Sequence, residues 1–454
     1  MTTKKYTFAR GALTSTVTVC IILNVLATVH SDDGFCPLTP VEGDGQAISE
    51  GCGSKVSLTP DNTRYILYSV NNPEGFNLRR DVYIRMAIFV KNLNKKGGNW
   101  KLVLPPWIHL YHWQSAVVKK QNRLPWHLFF DVESLNKYVP VIEFYELIDE
   151  LSYRGGNLID HVCVLQHFAD TFSENKLWED KWAIEPCLRE SPYVKTDDNK
   201  FTGPFWSYRN ITADKVDCVS FQGPASQLTE ILKSTDAQTV MFDHAEVVLH
   251  DHYGQAEYWK ARRSMRFSTH LVDIAREFRA SHLNSTDEND GTVLPIDWTE
   301  EKPLSNVKGG PYLAVHLRRN DFLWGRKDEV PTLEQAALQI KDLLKQLNLT
   351  KVYIATDAPN NEFVELFTML DDFEVFHYHP SVQVRNEIKD GGVAIVDQII
   401  CSHAAYFIGT HESTFSFRIQ EQREILGFDK NTTFNRLCGK VPECVQPTRW
   451  AIVY

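Results

Sequence analysis

Apolar and polar positions alternate with a regular rhythm along the last third of the chain. Short apolar runs rich in β-branched and aromatic residues predict strands, and longer runs with apolar positions three and four apart predict helices. The predicted strands cover residues 312–315, 351–356, 373–377 and 406–409, and the predicted helices cover 333–347, 361–370, 392–403 and 413–426. This alternation is typical of a doubly wound parallel sheet.

The first half of the chain repeats the pattern less regularly. Strands are predicted at residues 65–70, 101–104, 139–144 and 161–165, with a helix at 78–93. Residues 257–283 predict one long amphipathic helix, and the polar, acidic stretch 284–303 predicts an exposed connection. Since 454 residues exceed what one core usually holds, we expect two domains, at residues 34–256 and 257–454.

The N-terminus has the form of a secretory signal peptide, which we assign to residues 1–31. Three basic residues precede an apolar run of eleven at residues 19–29, and a polar stretch follows. The alternative is an uncleaved membrane anchor, but several polar residues dilute the run, so we favour cleavage and no stable membrane insertion afterwards. Four glycosylation sequons support entry into the secretory pathway: Asn210, Asn284, Asn348 and Asn431.

Eight of the nine cysteines lie outside the signal peptide, an even number that suits an oxidising compartment. We predict disulfides Cys438–Cys444 and Cys187–Cys218. A Cys36–Cys52 pair is plausible, and Cys163 and Cys401 are candidates for buried thiols. The net charge of −10, without a basic stripe, argues against nucleic acid as a partner.

The strand at 312–315 leads directly into His316, Arg318, Arg319 and Asp321. Ligands of α/β sheets bind at the carboxyl ends of strands, and a guanidinium can hold two phosphate oxygens at once. These residues therefore predict a phosphate site. The structural alternative is a surface ion pair between one arginine and Asp321.

A second candidate site is the turn Pro73-Glu-Gly-Phe-Asn77, between a predicted strand and a predicted helix. Free backbone N–H groups at the start of a helix favour an anion in such a gap. Glu74 stands in this gap. Its carboxylate suits either helix capping or catalysis, and the residues alone favour capping.

Two further segments of the sequence carry polar side chains near the predicted starts of helices. Asp397 lies on a helix behind the Gly391-Gly392 pair, where a carboxylate can accept hydrogen bonds from a guanine edge or a ribose, or simply lie on the helix surface. Ser413 and Thr414 are good N-cap residues, and the adjacent amides can also bind a diphosphate.

We predict that the protein binds no metal. His244-Ala-Glu246 and His250-Asp-His252 lack the Pro-Cys-x-x-Cys segment of zinc deaminases, and the chain contains no Asp-x-Asp. Neutralisation of a phosphate would then fall to arginine and helix termini.

Three segments in this order resemble the GDP-fucose protein O-fucosyltransferases: Asn-Pro-Glu-Gly-Phe-Asn-Leu-Arg-Arg-Asp81, His-Leu-Arg-Arg-Asn-Asp321 and Ser-Thr-Phe-Ser-Phe-Arg418. The resemblance runs from about residue 64 to 454 and includes Leu-Tyr-His-Trp-Gln114. It implies a GT-B fold, in which two Rossmann-like doubly wound domains face each other across a cleft. It also implies an inverting transfer of fucose from GDP-β-L-fucose that requires no cofactor.

The resemblance further implies roles for individual residues. Glu74 would be the general base, and Arg318, with His316 nearby, would hold the β-phosphate. Asp397 would recognise guanine. The remaining residues expected to contact the donor are Pro73, Gly75, Phe76, Asn77, Leu317, Ser413, Thr414 and Phe415.

The resemblance is greatest to the branch of the family that modifies folded thrombospondin type 1 repeats. It implies residence in the lumen of the endoplasmic reticulum, with the Golgi as the alternative compartment. We expect a monomer. Two other functions remain open at this point: O-fucosylation of EGF-like repeats, and GDP-fucose binding by a non-catalytic lectin or folding factor.

Overall fold

The strands of the chain form two separate sheets in the computed structural model. The structure describes residues 62–454 except 109, 114, 119–120, 155–156, 170–177, 441–442 and 449. The predicted signal peptide and the Cys36–Cys52 pair lie outside these residues.

The first sheet is mainly parallel. Its strands are β1 (Arg64–Tyr68), β2 (Trp100–Leu104), β3 (Val141–Glu143), β4 (Asn157–Gln166), β5 (Lys181–Ile184), β6 (Val194–Lys195), β7 (Phe201–Thr202), β8 (Thr212–Gln222) and β9 (Thr239–Asp243). They lie in the order β3-β2-β1-β9-β4-β8-β7-β6, and β5 pairs with β8. Strands β5, β6 and β7 pair antiparallel at one side, so this sheet is less uniform than the sequence pattern predicts.

The second sheet is parallel at every described pairing, as predicted. Its strands are β10 (Gly310–Leu317), β11 (Lys351–Thr356), β12 (Glu374–Phe376), β13 (Ala404–Gly409) and β14 (Asn435–Arg436), in the order β12-β11-β10-β13-β14. The central position of β10 places its carboxyl end in the middle of the sheet edge, where ligands of doubly wound sheets bind.

Helices cover both sheets. Their bounds are α1 (Phe76–Lys95), α2 (Val132–Asn136), α3 (Phe144–Glu150), α4 (Leu228–Leu232), α5 (Ala256–Ser264), α6 (Thr269–Leu283), α7 (Asp287–Asp290), α8 (Phe322–Gly325), α9 (Leu333–Leu347), α10 (Asn360–Met369), α11 (Val382–Ser402), α12 (Thr414–Ile425) and α13 (Lys430–Thr433). None of the helices that the structure describes combines the length and the apolar composition of a membrane span.

Helix α9 shows how side-chain hydrogen bonds determine where a helix begins. The Thr332 hydroxyl accepts a hydrogen bond from Gln335 N–H at 3.2 Å, and the Gln335 side chain accepts one from Thr332 N–H at 3.1 Å. This capping box fixes the first turn. The buried positions recur every three or four residues and face the second sheet: Leu333, Ala336, Ala337, Ile340 and Leu344.

The prediction of one long helix at 257–283 is wrong, because this stretch forms two helices, α5 and α6. The intervening residues pair with the loop before α2 instead of continuing the helix. Arg266 O accepts from Asp131 N–H at 3.0 Å, and Ser268 N–H donates to Phe129 O at 3.0 Å.

The stretch 284–303 is also more buried than predicted. Asp290 and Ser285 bind the buried Arg279 guanidinium, and Trp298 packs into the core. An acidic tract that partners a buried arginine is not a solvated linker.

Buried ion pairs join the two halves of the molecule. Asp81 of α1 lies 3.3 Å from Arg418 of α12, and Arg262 of α5 lies 2.6 Å from Glu421 of α12. Helix α5 thus touches elements of both halves, and the domain boundary at 256/257 remains a prediction.

The two predicted disulfides, Cys187–Cys218 and Cys438–Cys444, are confirmed, and Cys163 and Cys401 are buried thiols. All four sequon asparagines are exposed, as glycosylation requires; the modification itself remains a prediction.

Candidate active site

His316, at the end of β10, is a buried and neutral imidazole. Its Nδ1 lies 2.8 Å from the Ser416 hydroxyl, and its ring stacks on Phe415 with 4.4 Å between ring centres. Burial, with a smaller contribution from the positive charge of Arg318, lowers the pKa of His316 to about 3. The ring is therefore a fixed hydrogen-bonding group rather than a charge.

Arg318 is held in place by two carboxylates. Its Nε lies 3.0 Å from Asp321 Oδ1 and 3.2 Å from Asp357 Oδ2, and its side chain is only 15% exposed. The Thr410 hydroxyl fixes the main chain here, since it accepts from Arg318 N–H and donates to His316 O, both at 2.9 Å. A guanidinium positioned in this way can meet negative charge on a ligand without moving.

Arg319 has a different role. Its guanidinium donates to Glu362 at 2.7 Å and to Pro331 O at 2.8 Å, and the side chain is buried. Of the two adjacent arginines, Arg318 faces the cleft, and Arg319 stabilises the loop that contains Pro331.

The start of α12 lies beside His316. Ser413 occupies the N-cap with extended backbone, and its side chain makes no capping hydrogen bond in the described structure. Thr414 is exposed and Phe415 is half-buried. Since the first N–H groups of a helix have no partner within it, this end of α12 suits an anion.

Glu74 lies in the turn between β1 and α1 and is half-buried. Arg79 fixes the main chain of this turn, with hydrogen bonds to Glu74 O at 3.0 Å and Asn72 O at 3.1 Å. Burial and the negative charge of Glu246 raise the pKa of Glu74, and Arg79 partly opposes them. A carboxylate with a raised pKa is a better proton acceptor than an ordinary one.

His112 connects the two candidate sites, although the sequence predicts no role for this residue. Its ring nitrogens lie 3.3 Å from Arg318 Nη2, and a Cβ placed on Gly75 would lie 3.6 Å from the same ring. The Glu74 turn and Arg318 therefore line one cleft. The signal available in the sequence was its place in Leu-Tyr-His-Trp-Gln114.

Asn77 lies where α1 meets α11. Its side-chain oxygen accepts from Gln398 at 2.9 Å and from Arg80 at 3.2 Å. Asp397, next to Gln398, is buried and accepts a hydrogen bond from the Tyr353 hydroxyl. Burial raises the pKa of Asp397 to about 6, against opposing effects of His377 and Tyr353.

Other predicted donor residues have side chains in the core. The Phe76 ring packs 4.8 Å from Trp107 and 5.3 Å from Trp113, centre to centre, and Leu317 is fully buried. Only the main chain of these two residues is suited to contact a ligand. Pro73 is exposed at the edge of the turn.

Two histidines of the segments at 244–246 and 250–252 have protein partners. His250 Nε2 lies 3.0 Å from Asp81, and His244 Nδ1 lies 3.1 Å from Glu246. Among the described residues, no group of three or more His, Cys, Asp and Glu side chains is arranged to hold a metal ion.

Comparison with known proteins identifies the family. Residues 65–426 match the family model described as GDP-fucose protein O-fucosyltransferase. Proteins named GDP-fucose protein O-fucosyltransferase 2 are 48% identical in Homo sapiens and 45% identical in Caenorhabditis elegans. Each alignment covers 420 residues and 91% of this chain, with 96% and 95% of the respective relative. The Drosophila melanogaster protein of the same name is 42% identical over 86% of this chain and 82% of its own length.

Solved structures share the architecture. A crystal structure of POFUT1 in complex with GDP superposes with a TM-score of 0.54 at 15% identity, covering 83% of this chain and 99% of that one. A complex of POFUT1 with GDP-fucose gives 0.53 at 16% identity, covering 81% and 95%. The two facing sheets are thus those of a GT-B fold, as predicted. The chain belongs to the GDP-fucose protein O-fucosyltransferase family.

Proposed function

We propose that the protein transfers fucose from GDP-β-L-fucose to Ser or Thr hydroxyls of folded thrombospondin type 1 repeats, with inversion at the sugar. One observation carries the proposal: Arg318 and the Glu74 turn meet at His112, so a candidate phosphate clamp and a candidate base share a cleft. The acceptor class rests on the relatives that share the name GDP-fucose protein O-fucosyltransferase 2.

Glu74 is the general base in this proposal. Its carboxylate takes the proton of the acceptor hydroxyl as that oxygen bonds to C1 of fucose. The bond between C1 and the β-phosphate oxygen breaks at the same time, on the opposite face of the sugar, and GDP departs with the bonding electrons. Such a base contributes about 10²–10⁴-fold to the rate.

The departing GDP gains negative charge, which the other half of the cleft stabilises. Arg318 binds the β-phosphate, and the neutral ring of His316 and the start of α12 at Ser413, Thr414 and Phe415 complete the diphosphate site. Asp397 binds the guanine. Gly75, Phe76 and Asn77 contact the donor beside the base, and Pro73 and Leu317 are further donor contacts.

The reaction proceeds without a metal ion, because a guanidinium and helix amides take over the neutralisation of the diphosphate. We further propose that the protein acts as a monomer in the lumen of the endoplasmic reticulum after removal of residues 1–31.

Transfer from labelled GDP-fucose to three purified acceptors tests the proposal. The acceptors are a folded thrombospondin type 1 repeat, the same repeat reduced and unfolded, and a folded EGF-like repeat, each assayed with and without EDTA. We expect transfer to the first alone. Transfer to the EGF-like repeat instead would refute the acceptor class, and loss of transfer with EDTA would refute metal independence. GDP binding without any transfer would identify a non-catalytic binder.

A further inference from the structure

A pocket of about 240 Å³ lies in the first half of the molecule, behind the Glu74 turn. It opens at the carboxyl ends of β1 and β9, between Ser69-Val70 on one side and Asp243-His244 on the other. The segment Pro192-Tyr193 and the residues around Trp206 close its far wall.

The pocket is separate from the proposed donor site. Its lining comes entirely from residues 69–244, and none of it belongs to the second sheet or to α12. The carboxyl ends of parallel strands form the ligand-binding edge of a doubly wound sheet, so a pocket at this edge is in the expected place for a second ligand.

The charged groups of the pocket already have partners. Asp243 accepts hydrogen bonds from the Ser69 hydroxyl, from the Tyr193 hydroxyl at 2.9 Å and from His244 N–H at 3.0 Å. His244 pairs with Glu246, and Arg79 is used by main-chain oxygens. The hydrogen-bonding atoms of Asp243, His244 and Arg79 are therefore already engaged within the protein.

The rest of the lining is largely apolar and aromatic: Val70, Ile108, Pro192, Tyr193, Pro204, Phe205, Trp206 and Met241. Such a surface favours an uncharged, apolar ligand group, which would gain free energy from burial.

The backbone around the pocket is strained. Trp206 and His244 both have left-handed backbone, with φ of 48° and 60°, although neither is glycine. Side chains disfavour this region, so such residues persist where the surrounding structure holds them, and they cluster at ligand sites.

The pocket and Glu74 are mechanically connected through one guanidinium. Arg79 lines the pocket and donates both to Asn72 O, on the pocket wall, and to Glu74 O. A ligand group in the pocket would therefore contact the same turn that carries the proposed base, Glu74.

We propose that this pocket is an acceptor subsite, which receives a large apolar or aromatic side chain of the protein acceptor and thereby places its hydroxyl beside Glu74. The inference rests on the proposed function, because it presupposes a protein acceptor. It predicts that acceptor affinity depends on a side chain other than the modified Ser or Thr.

Pro192→Trp tests the subsite, since Pro192 is exposed at the mouth of the pocket and lies far along the chain from Glu74. We expect the KM for a folded acceptor repeat to rise about tenfold or more, the loss expected when one large apolar side chain is no longer buried. The KM for GDP-fucose and the hydrolysis of GDP-fucose by water should stay unchanged. Val194→Trp, two residues away on β6 and pointing to solvent, is the matched control.

Asn72→Trp fills the same pocket from the opposite side and serves if Pro192→Trp does not fold, as judged by thermal unfolding and GDP binding. Alanine substitution of each large apolar residue of the acceptor repeat then identifies the occupant. One of these substitutions should raise KM with the unaltered enzyme and have no further effect with Pro192→Trp.

A folded Pro192→Trp protein with unchanged acceptor KM would overturn the subsite and leave the proposed function standing. Failure of the unaltered protein to transfer fucose to any acceptor would instead overturn the proposed function, and the subsite with it.

Discussion

Arg318 and Glu74 come from different halves of the molecule and are held in different ways. Arg318 follows β10 directly, and two carboxylates, Asp321 and Asp357, fix its guanidinium. Glu74 follows β1 by a turn whose main chain is fixed by Arg79. The Glu74 carboxylate itself has no hydrogen-bond partner among the described residues.

The difference matches what each group is proposed to do. A cation that stabilises a developing negative charge works best when it is oriented in advance, so that no reorganisation accompanies the reaction. A base needs an available lone pair and a pKa that favours accepting a proton. Carboxylate partners suit the first task, and partial burial beside Glu246 suits the second.

Removal of the guanidinium is expected to have the largest effect. Arg318→Ala should lower kcat for fucose transfer by about 10³-fold, as does loss of a group that stabilises transition-state charge. Arg318→Lys should recover only part of this, because an ammonium cannot hold two oxygens in a fork. Arg276→Ala, on the exposed face of α6, is the matched control and should leave kcat unchanged. A wild-type kcat in Arg318→Ala would show that Arg318 does not stabilise the transition state.

Removal of the base is expected to have the next largest effect. Glu74→Gln keeps the shape of the side chain but cannot accept the proton, so kcat should fall by about 10²-fold. GDP binding, measured by calorimetry, should be unchanged because Glu74 acts on the acceptor. The exposed Glu365→Gln serves as the control. Full activity in Glu74→Gln would mean that another group or water takes the proton.

A smaller loss of kcat should follow when the Arg318 guanidinium is oriented less firmly. Asp357→Asn removes one of the two charges that orient Arg318, and we expect kcat to fall about tenfold through misplacement of the clamp. Asp371→Asn, in the exposed turn between α10 and β12, should have no effect. If Asp357→Asn retained full kcat, Asp321 alone would suffice to orient Arg318.

The smallest effect concerns pH. The raised pKa of Glu74 means that activity should be lost on acidification at a higher pH than for an ordinary glutamate, whose pKa is about 4.3. Burial and Glu246 raise this pKa, and Arg79 lowers it. Glu246→Gln removes a negative charge, so the acid limb of kcat/KM should move to lower pH. The exposed Glu230→Gln is the control. An acid limb that stays in place in Glu246→Gln would show that the charge of Glu246 does not set the pKa that governs activity.

Elements with local signals were predicted most accurately. Helix α9 and strand β11 have the predicted bounds, 333–347 and 351–356, because a capping box and an apolar stripe specify the first and an apolar run specifies the second. Strands β8 and β9 were not predicted, although β9 lies at the centre of the first sheet. The break between α5 and α6 was missed because it depends on pairing with residues 129–131, distant in the chain.

The features of the candidate site also divide into those that local sequence predicted and those that depend on distant contacts. The sequence alone determined the motifs around Glu74, Arg318 and Ser413, since each combines a strand end, a turn and a helix start within a few residues. It also determined the parallel class of the second sheet and both confirmed disulfides.

Only the tertiary structure decided which of two adjacent arginines faces the cleft and that His112 joins its two sides. It also decided that residues within 69–79, 192–193, 204–206 and 241–244, together with residue 108, line a pocket behind the Glu74 turn. These features depend on contacts between residues far apart in the chain. Local propensity carries no information about such contacts, because burial and charge pairing are set only when the two sheets pack together.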